Sequence, residues 1–255
     1  MKKQKITSIL LVILAIVGLI SAHFIHPIAQ DKHYHSFCDQ RCIYGVPNFW
    51  NVLSNLPFLL VGIIGLIKLR SISKESFISE NKIAYQFFYL GITFVSIGSG
   101  YYHLSPSNES LLWDRLPMTF AFMGLFSILI SEFISVKSGK LLLFPLLVSG
   151  VFSVLYWFYT EKIQMGNLNY YILVQFYPVI SIPIILLFYP SKLTHFRAYW
   201  YLLLAYLLAK ISEHFDEAIF TSIHLLSGHS IKHILTSLGL MGVVLVLHKR
   251  QKKSA

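Results

Sequence analysis

Charge is scarce in this sequence. Only 13% of its 255 residues are Asp, Glu, Lys or Arg, against roughly 25% in a soluble domain. That shortage excludes an ordinary soluble globular chain. Acidic residues are scarcer than basic ones, 11 against 21, and the formal net charge is +10. Polar stretches long enough to form a soluble domain are missing, and so are internal repeats and low-complexity regions. The missing repeat symmetry gives no encouragement to a transporter. Cysteine occurs only twice, at Cys38 and Cys42. What fills the chain instead is apolar: 55% hydrophobic residues and a mean hydropathy of +0.63.

The apolar residues come in recurring stretches of about 20, enough for a helix to cross a bilayer. The expected fold is all-α, a polytopic integral membrane protein. Eight spans are expected, at 6–27, 50–69, 83–103, 111–133, 139–158, 170–190, 197–214 and 229–248. The seventh is the weakest, because Lys210, Glu213, His214, Asp216 and Glu217 follow its apolar run at once. Pro178, Pro183 and Pro190 predict a kink in the sixth. Two parts are expected: an N-terminal transmembrane helix at 1–28 and a seven-helix membrane domain at 29–255. The first span could instead be a signal peptide, since MKKQK precedes the apolar run and Ser21 and Ala22 follow it.

The basic excess belongs to topology rather than to nucleic acid, because the lysines lie between spans. With the N-terminus in the cytoplasm, the inner segments hold Lys2, Lys3, Lys5, Lys68, Arg70, Lys74, Lys82, Lys137, Lys140, Lys192, Arg197, Lys249, Arg250, Lys252 and Lys253. The outer side is left with Lys32, Arg41, Arg115, Lys162, Lys210 and Lys232. This bias fits the positive-inside rule, and it places both termini in the cytoplasm.

The orientation carries a consequence for the polar residues. Asn51, Ser54 and Asn55 open the second span on the outer side. Ser99 and His103 close the third, Asp114 opens the fourth, Glu213 and Asp216 follow the seventh, and His229 and His233 open the eighth. Polar and ionisable groups in spans are costly and tend to mark function, and here they converge on one membrane face. His229 and His233 are four apart on one helix face. With His103 they could form a three-histidine zinc site that leaves a fourth position open. Such an ion acidifies water and polarises a carbonyl. Asp114 could move a proton there or orient a ligating imidazole, and Ser99 could donate to an oxyanion. Blander readings exist for each: interfacial histidines are common, Asp114 could pair with Arg115, and Ser99 could be a packing residue between Gly98 and Gly100.

The outer connection DKHYHSFCDQRCIYGVPNFWN, residues 31–51, is a second feature. Asp39, Asn48 and Asn51 could offer oxygen ligands to calcium, or they could cap the helix beginning near Trp50. Cys38 and Cys42 could form a disulfide outside the membrane or remain thiols. His23, His26, His33 and His35 read as surface or loop residues.

Three blocks give the chain a resemblance to a known family: PNFWNVLSNLPFLLVG at 47–62, GSGYYHLSPSNESLLWDRLPM at 98–118, and SEHFDEAIF followed by SGHSIKH between 212 and 233. Together they resemble the alkaline ceramidases, from about Asp31 onward. That resemblance implies a seven-span membrane amidase that cleaves ceramide to a long-chain base and a fatty acid. It implies that His103, His229 and His233 bind zinc and that Ser99 and Asp114 flank the metal and its water. The family also has a calcium site near its first core helix. Here the sequence departs, with Asn48 where the family pattern has a glutamate before its FWN-like motif, and with Asp39 able to pair with Arg41 instead. A wider superfamily joins the ceramidases to seven-span progestin and adiponectin-type receptors, which share the serine, histidines and aspartate.

The reading that follows is a zinc-dependent intramembrane hydrolase of ceramide or a related lipid amide, in a bacterial inner membrane, with its metal near the outer face. A zinc-containing lipid receptor or sensor is the alternative. A transporter using Asp114, Glu213 and Asp216 is a third.

Overall fold

In the computed structural model of the chain, residues 2–72 and 77–251 are described. Lys74, Lys252 and Lys253 of the basic set lie outside them. Eleven α-helices follow one another among the described residues: α1 (Lys2–Phe24), α2 (Phe49–Leu53), α3 (Leu56–Arg70), α4 (Phe77–Glu80), α5 (Lys82–Leu104), α6 (Asn108–Leu129), α7 (Val136–Lys162), α8 (Asn169–Phe188), α9 (Ala198–His214), α10 (Asp216–Ile223) and α11 (Gly228–Val246). No sheet occurs there, only an isolated bridge between Ile43 and Val46. The protein is an all-α, polytopic membrane protein.

Seven helical stretches among the described residues are long and apolar enough to cross a membrane: Lys2–Phe24, Phe49–Arg70, Lys82–Leu104, Asn108–Ile134, Val136–Lys162, Asn169–Phe188 and Gly228–Lys249. They match seven of the eight expected spans, with ends shifted by a few residues. The remaining expectation, 197–214, coincides with α9. At 17 residues this helix is about 26 Å long, and Lys210, Glu213 and His214 occupy its last turns.

Serines set several helix starts. Ser107, Ser135 and Ser227 are extended, and each accepts a hydrogen bond from a backbone N–H three residues on, opening α6, α7 and α11. At Ser107 the cap is reciprocal, because Ser110 Oγ accepts from the Ser107 N–H at 3.0 Å. After Leu129 the chain loosens into a π-helical turn, Ile130–Ile134, before Ser135 starts the return through α7. α8 is one element across Pro178 and Pro183, and Pro190 falls just beyond its end.

α6 is the central helix, with most of its span buried. α5 lies directly against it. A Cβ at Gly98 would stand 2.0 Å from the Trp113 carbonyl oxygen, so only glycine permits this approach. Gly100, read in the sequence as a second contact glycine, instead has open space around it. The close crossing at Gly98 sets Ser99 and His103 on α5 beside Asp114 on α6. α11 packs along α9, with Gly239 against Ala205. α1 lies outermost, with little of its length buried. It is held to α8 through Tyr177 Oη donating to Leu11 O at 2.9 Å and Asn169 Nδ2 donating to Ile25 O at 3.1 Å.

The bundle therefore has two polar ends. One joins the C-terminal ends of α5 and α9 to the N-terminal ends of α6 and α11. At the other end Arg250, beyond α11, reaches back into the bundle and meets Glu132 through two hydrogen bonds of 2.7 and 2.8 Å. Tyr85 and Tyr199 also donate to this carboxylate. All four residues are buried.

Candidate metal centre

His103, near the end of α5, and His229 and His233, on the first turns of α11, are all buried. One ligand nitrogen from each lies within 4.8 Å of the others. Their ring centroids are 4.9–5.2 Å apart. Three imidazoles drawn together from helices separated in sequence by more than a hundred residues fit a metal ion. The donor chemistry agrees: imidazole nitrogen is a common zinc ligand, and His103 Nδ1 is buried with no hydrogen-bond partner, a costly state for an imidazole in protein interior.

The surroundings fix these rings. Ser54, in the turn between α2 and α3, lies 2.9 Å from His233 Nδ1, which leaves Nε2 as the ring's free nitrogen. Asn51 Oδ1 accepts from Ser230 Oγ at 2.8 Å, fastening α2 to the first turn of α11. Asp216 accepts from the His229 N–H at 2.7 Å, a carboxylate at a helix N-terminus, where the dipole favours it. Asn48 Nδ2 donates to the His103 carbonyl at 2.8 Å. Phe37 packs against the rings of His103 and His229.

Ser99 is buried one turn before His103 and lines the same cavity as Asp114. Both, together with His233, line a cavity of about 360 Å³ that continues into the bundle between apolar walls, past Ile92, Leu125 and Ile182 to Leu129 and Tyr199. The five residues singled out in the sequence thus meet around one place. Asp114 does not pair with Arg115, whose side chain turns away and donates from Nη2 to Gln30 Oε1 at 2.7 Å.

The residues considered for calcium are buried and already engaged. Asp39 receives Arg41 in a two-pronged pair, Nε to Oδ1 at 2.8 Å and Nη2 to Oδ2 at 2.7 Å. Asn48 is spent on His103, and Asn51 bridges Asp39 O and Ser230. Cys38 and Cys42 are both free and exposed. Cys38 neighbours Asp216; desolvation, with the nearby carboxylates adding to it, pushes its thiol up to about 11. His35, read in the sequence as a loop residue, bridges Tyr102 and Asn108 at 3.0 and 3.1 Å.

Two features at the cavity's head escaped the sequence reading. Lys232, between the two histidines of α11, reaches Glu213 on α9, which also holds Lys210 at 2.7 Å. Ser54 was visible as a polar residue opening a span, but nothing in its spacing named His233 as its partner. Glu213 is engaged in ion pairs with Lys210 and Lys232, and Asp216 accepts from the His229 N–H.

No curated protein matches the sequence. The family model described as Ceramidase matches residues 35–253. That stretch takes in all three histidines, Ser99, Asp114 and the loop that buttresses them, and the chain belongs to the ceramidase family.

Proposed function

We propose that the protein is a zinc-dependent intramembrane hydrolase that cleaves the amide bond of ceramide or a related lipid amide, giving a long-chain base and a fatty acid. The observation that carries this reading is the placement of the three-histidine cluster, Ser99 and Asp114 at the head of a deep apolar cavity. His103, His229 and His233 would hold the ion, which supplies a Lewis acid for the carbonyl and a more acidic water. The chain's own residues do the rest. The apolar walls take the alkyl tails and exclude bulk water, so charges at the head act in a low-dielectric setting. Asp114 takes a proton from the attacking water and returns it to the departing amine as the C–N bond breaks. Ser99, on the helix face of His103, donates its one hydroxyl proton to the carbonyl oxygen as that atom gains charge. Ser54 holds the His233 ring in register.

The working unit is residues 29–255, with α9 as the sixth of its seven spans and α1 as an additional helix. Both termini face the cytoplasm of a bacterial inner membrane and the metal lies near the outer face. The basic residues support this, since Lys68, Arg70, Lys82, Lys137, Lys140, Lys192 and Arg197 belong to the helix ends and connections remote from the histidines.

Zinc content and ceramide turnover measured together on purified protein test the proposal. The wild type should carry about one zinc per chain and release fatty acid. His229→Ala should lose both. Asp114→Ala should keep the metal and lose turnover. Zinc held by a wild type that hydrolyses no lipid amide would favour the receptor reading instead.

A further inference from the structure

Arg115 is a buried cation at the head of the cavity that the proposed reaction leaves unused. It is 5% exposed and lines the cavity beside Asp114. Its guanidinium lies over Trp157 at 4.2 Å and Tyr171 at 4.7 Å, with the Tyr34 ring at 5.7 Å. Nη2 is taken by Gln30, while Nη1 is buried and has no hydrogen-bond partner. Arg115 takes no part in the ion pairs found among the described residues, such as those of Arg41, Lys210, Lys232 and Arg250. Aromatic faces offset part of the desolvation of a guanidinium, but they offer Nη1 no acceptor, and an unpaired charge within a span is costly. The charge balance points the same way. Lys210, Lys232 and Arg115 line the cavity against only Asp114 and Glu213, which leaves room for one further negative charge.

We propose that Arg115 anchors a subsite for the carboxylate of a lipid, with the alkyl chain lying in the apolar body of the cavity. Arginine suits a carboxylate because its N–H groups form short charge-assisted hydrogen bonds to it. Two sources share this chemistry: the fatty acid released at the histidine centre, and an acidic headgroup on the amine half of the substrate. The first rests on the hydrolase reading. Tyr34 and Gln30, which complete the setting of Arg115, stand just before the residues matched to the family, so this corner is partly built from the chain's own N-terminal segment.

Equilibrium binding of radiolabelled laurate, methyl laurate and N-lauroylglycine to the purified full-length protein, at matched zinc content, tests the subsite apart from turnover. The wild type should prefer laurate to its methyl ester by roughly 10-fold or more. Arg115→Gln should bring the two within about 2-fold, and Arg115→Lys should fall between, since a lysine keeps the charge without the planar fork. Selection of laurate assigns the released acid as the source; selection of N-lauroylglycine alone assigns an acidic headgroup. An unchanged preference for both carboxylates over the ester in Arg115→Gln would overturn the proposal. Should that variant not fold, equal binding of ester and acids by the wild type would overturn it alone. Carboxylate selection without any amide hydrolysis would remove the hydrolase reading and leave the subsite standing.

Discussion

At the scale of single residues, the centre depends on groups that touch histidines rather than on histidines alone. Ser54 is the clearest case, at 2.9 Å from His233 Nδ1. Partners of this kind fix the tautomer and orientation of a ligand. Ser54→Ala is expected to weaken zinc about 10- to 100-fold, read by competition with a chromophoric chelator. Unchanged affinity would show that the ring needs no such support. Cys38 offers a test outside the spans. Only the thiolate reacts with an alkylating agent, and partial desolvation, with the nearby Asp216 carboxylate adding to it, disfavours it, raising the thiol from 9.0 to about 11. At pH 8 the thiolate fraction is therefore lower by roughly 100-fold, and iodoacetamide labelling should be slow to match. Asp216→Asn removes a negative charge, so the pKa should fall and labelling should speed up. The histidines were legible in sequence because HxxxH is a helical spacing, and His103 and Ser99 share the same one-turn relation. Arg115 was not. Its neighbour Asp114 was its obvious partner on paper, and only the direction of the side chain, over Trp157 and towards Gln30, shows otherwise.

Elements tell a different story about legibility. Helix existence followed from apolar length, and the serine caps sit where an extended residue must precede a helix. The π-helical turn at Ile130–Ile134 has no such signature. It lies inside a long apolar run, and it surrounds Glu132, whose partner Arg250 is 118 residues away. A lone acid in a greasy helix and an arginine in a basic tail look unrelated in one dimension. In the fold they tie the end of the chain to α5, α6 and α9 at once, because Tyr85 and Tyr199 join the same carboxylate. Breaking one side of a buried pair leaves a charge without a partner, which costs about 3–5 kcal/mol. Arg250→Ala should lower the thermal midpoint of the detergent-solubilised protein sharply. Combining Arg250→Met with Glu132→Gln should recover most of the loss, since neither side then buries a charge. A single variant as stable as the wild type would mean that the C-terminal segment is not fastened by this pair. The metal should be unaffected in the double variant, because the pair and the histidines occupy opposite ends of the bundle.

The whole molecule is organised by that opposition of ends. Histidines, Asp114 and the loop of residues 31–48 gather at one end, and Arg250, Glu132 and the lysine-bearing connections at the other. Basic residues mark the cytoplasmic side in short-looped membrane proteins, so the metal end should face outward. The two cysteines make this a clean experiment, because they are the only ones in the chain, both are free and exposed, and both belong to the metal end. A membrane-impermeant maleimide added to intact cells from outside should label the protein without permeabilisation. Since the Cys38 thiol is held high, Cys38→Ser should retain most of that labelling and Cys42→Ser should lose most of it. Lys140→Cys, at an exposed position in the second turn of α7, in a Cys38→Ser, Cys42→Ser background should react only after the membrane is opened. The reverse pattern would turn the molecule over and put the histidine centre on the cytoplasmic side. Removal of residues 1–28 extends the test: α1 contributes no group to the centre, so the shortened protein should keep its zinc and still present Cys42 to the outside. Loss of the metal on this deletion would show that α1 holds the N-terminal loop, and through it Phe37 and Asn48, against the histidines.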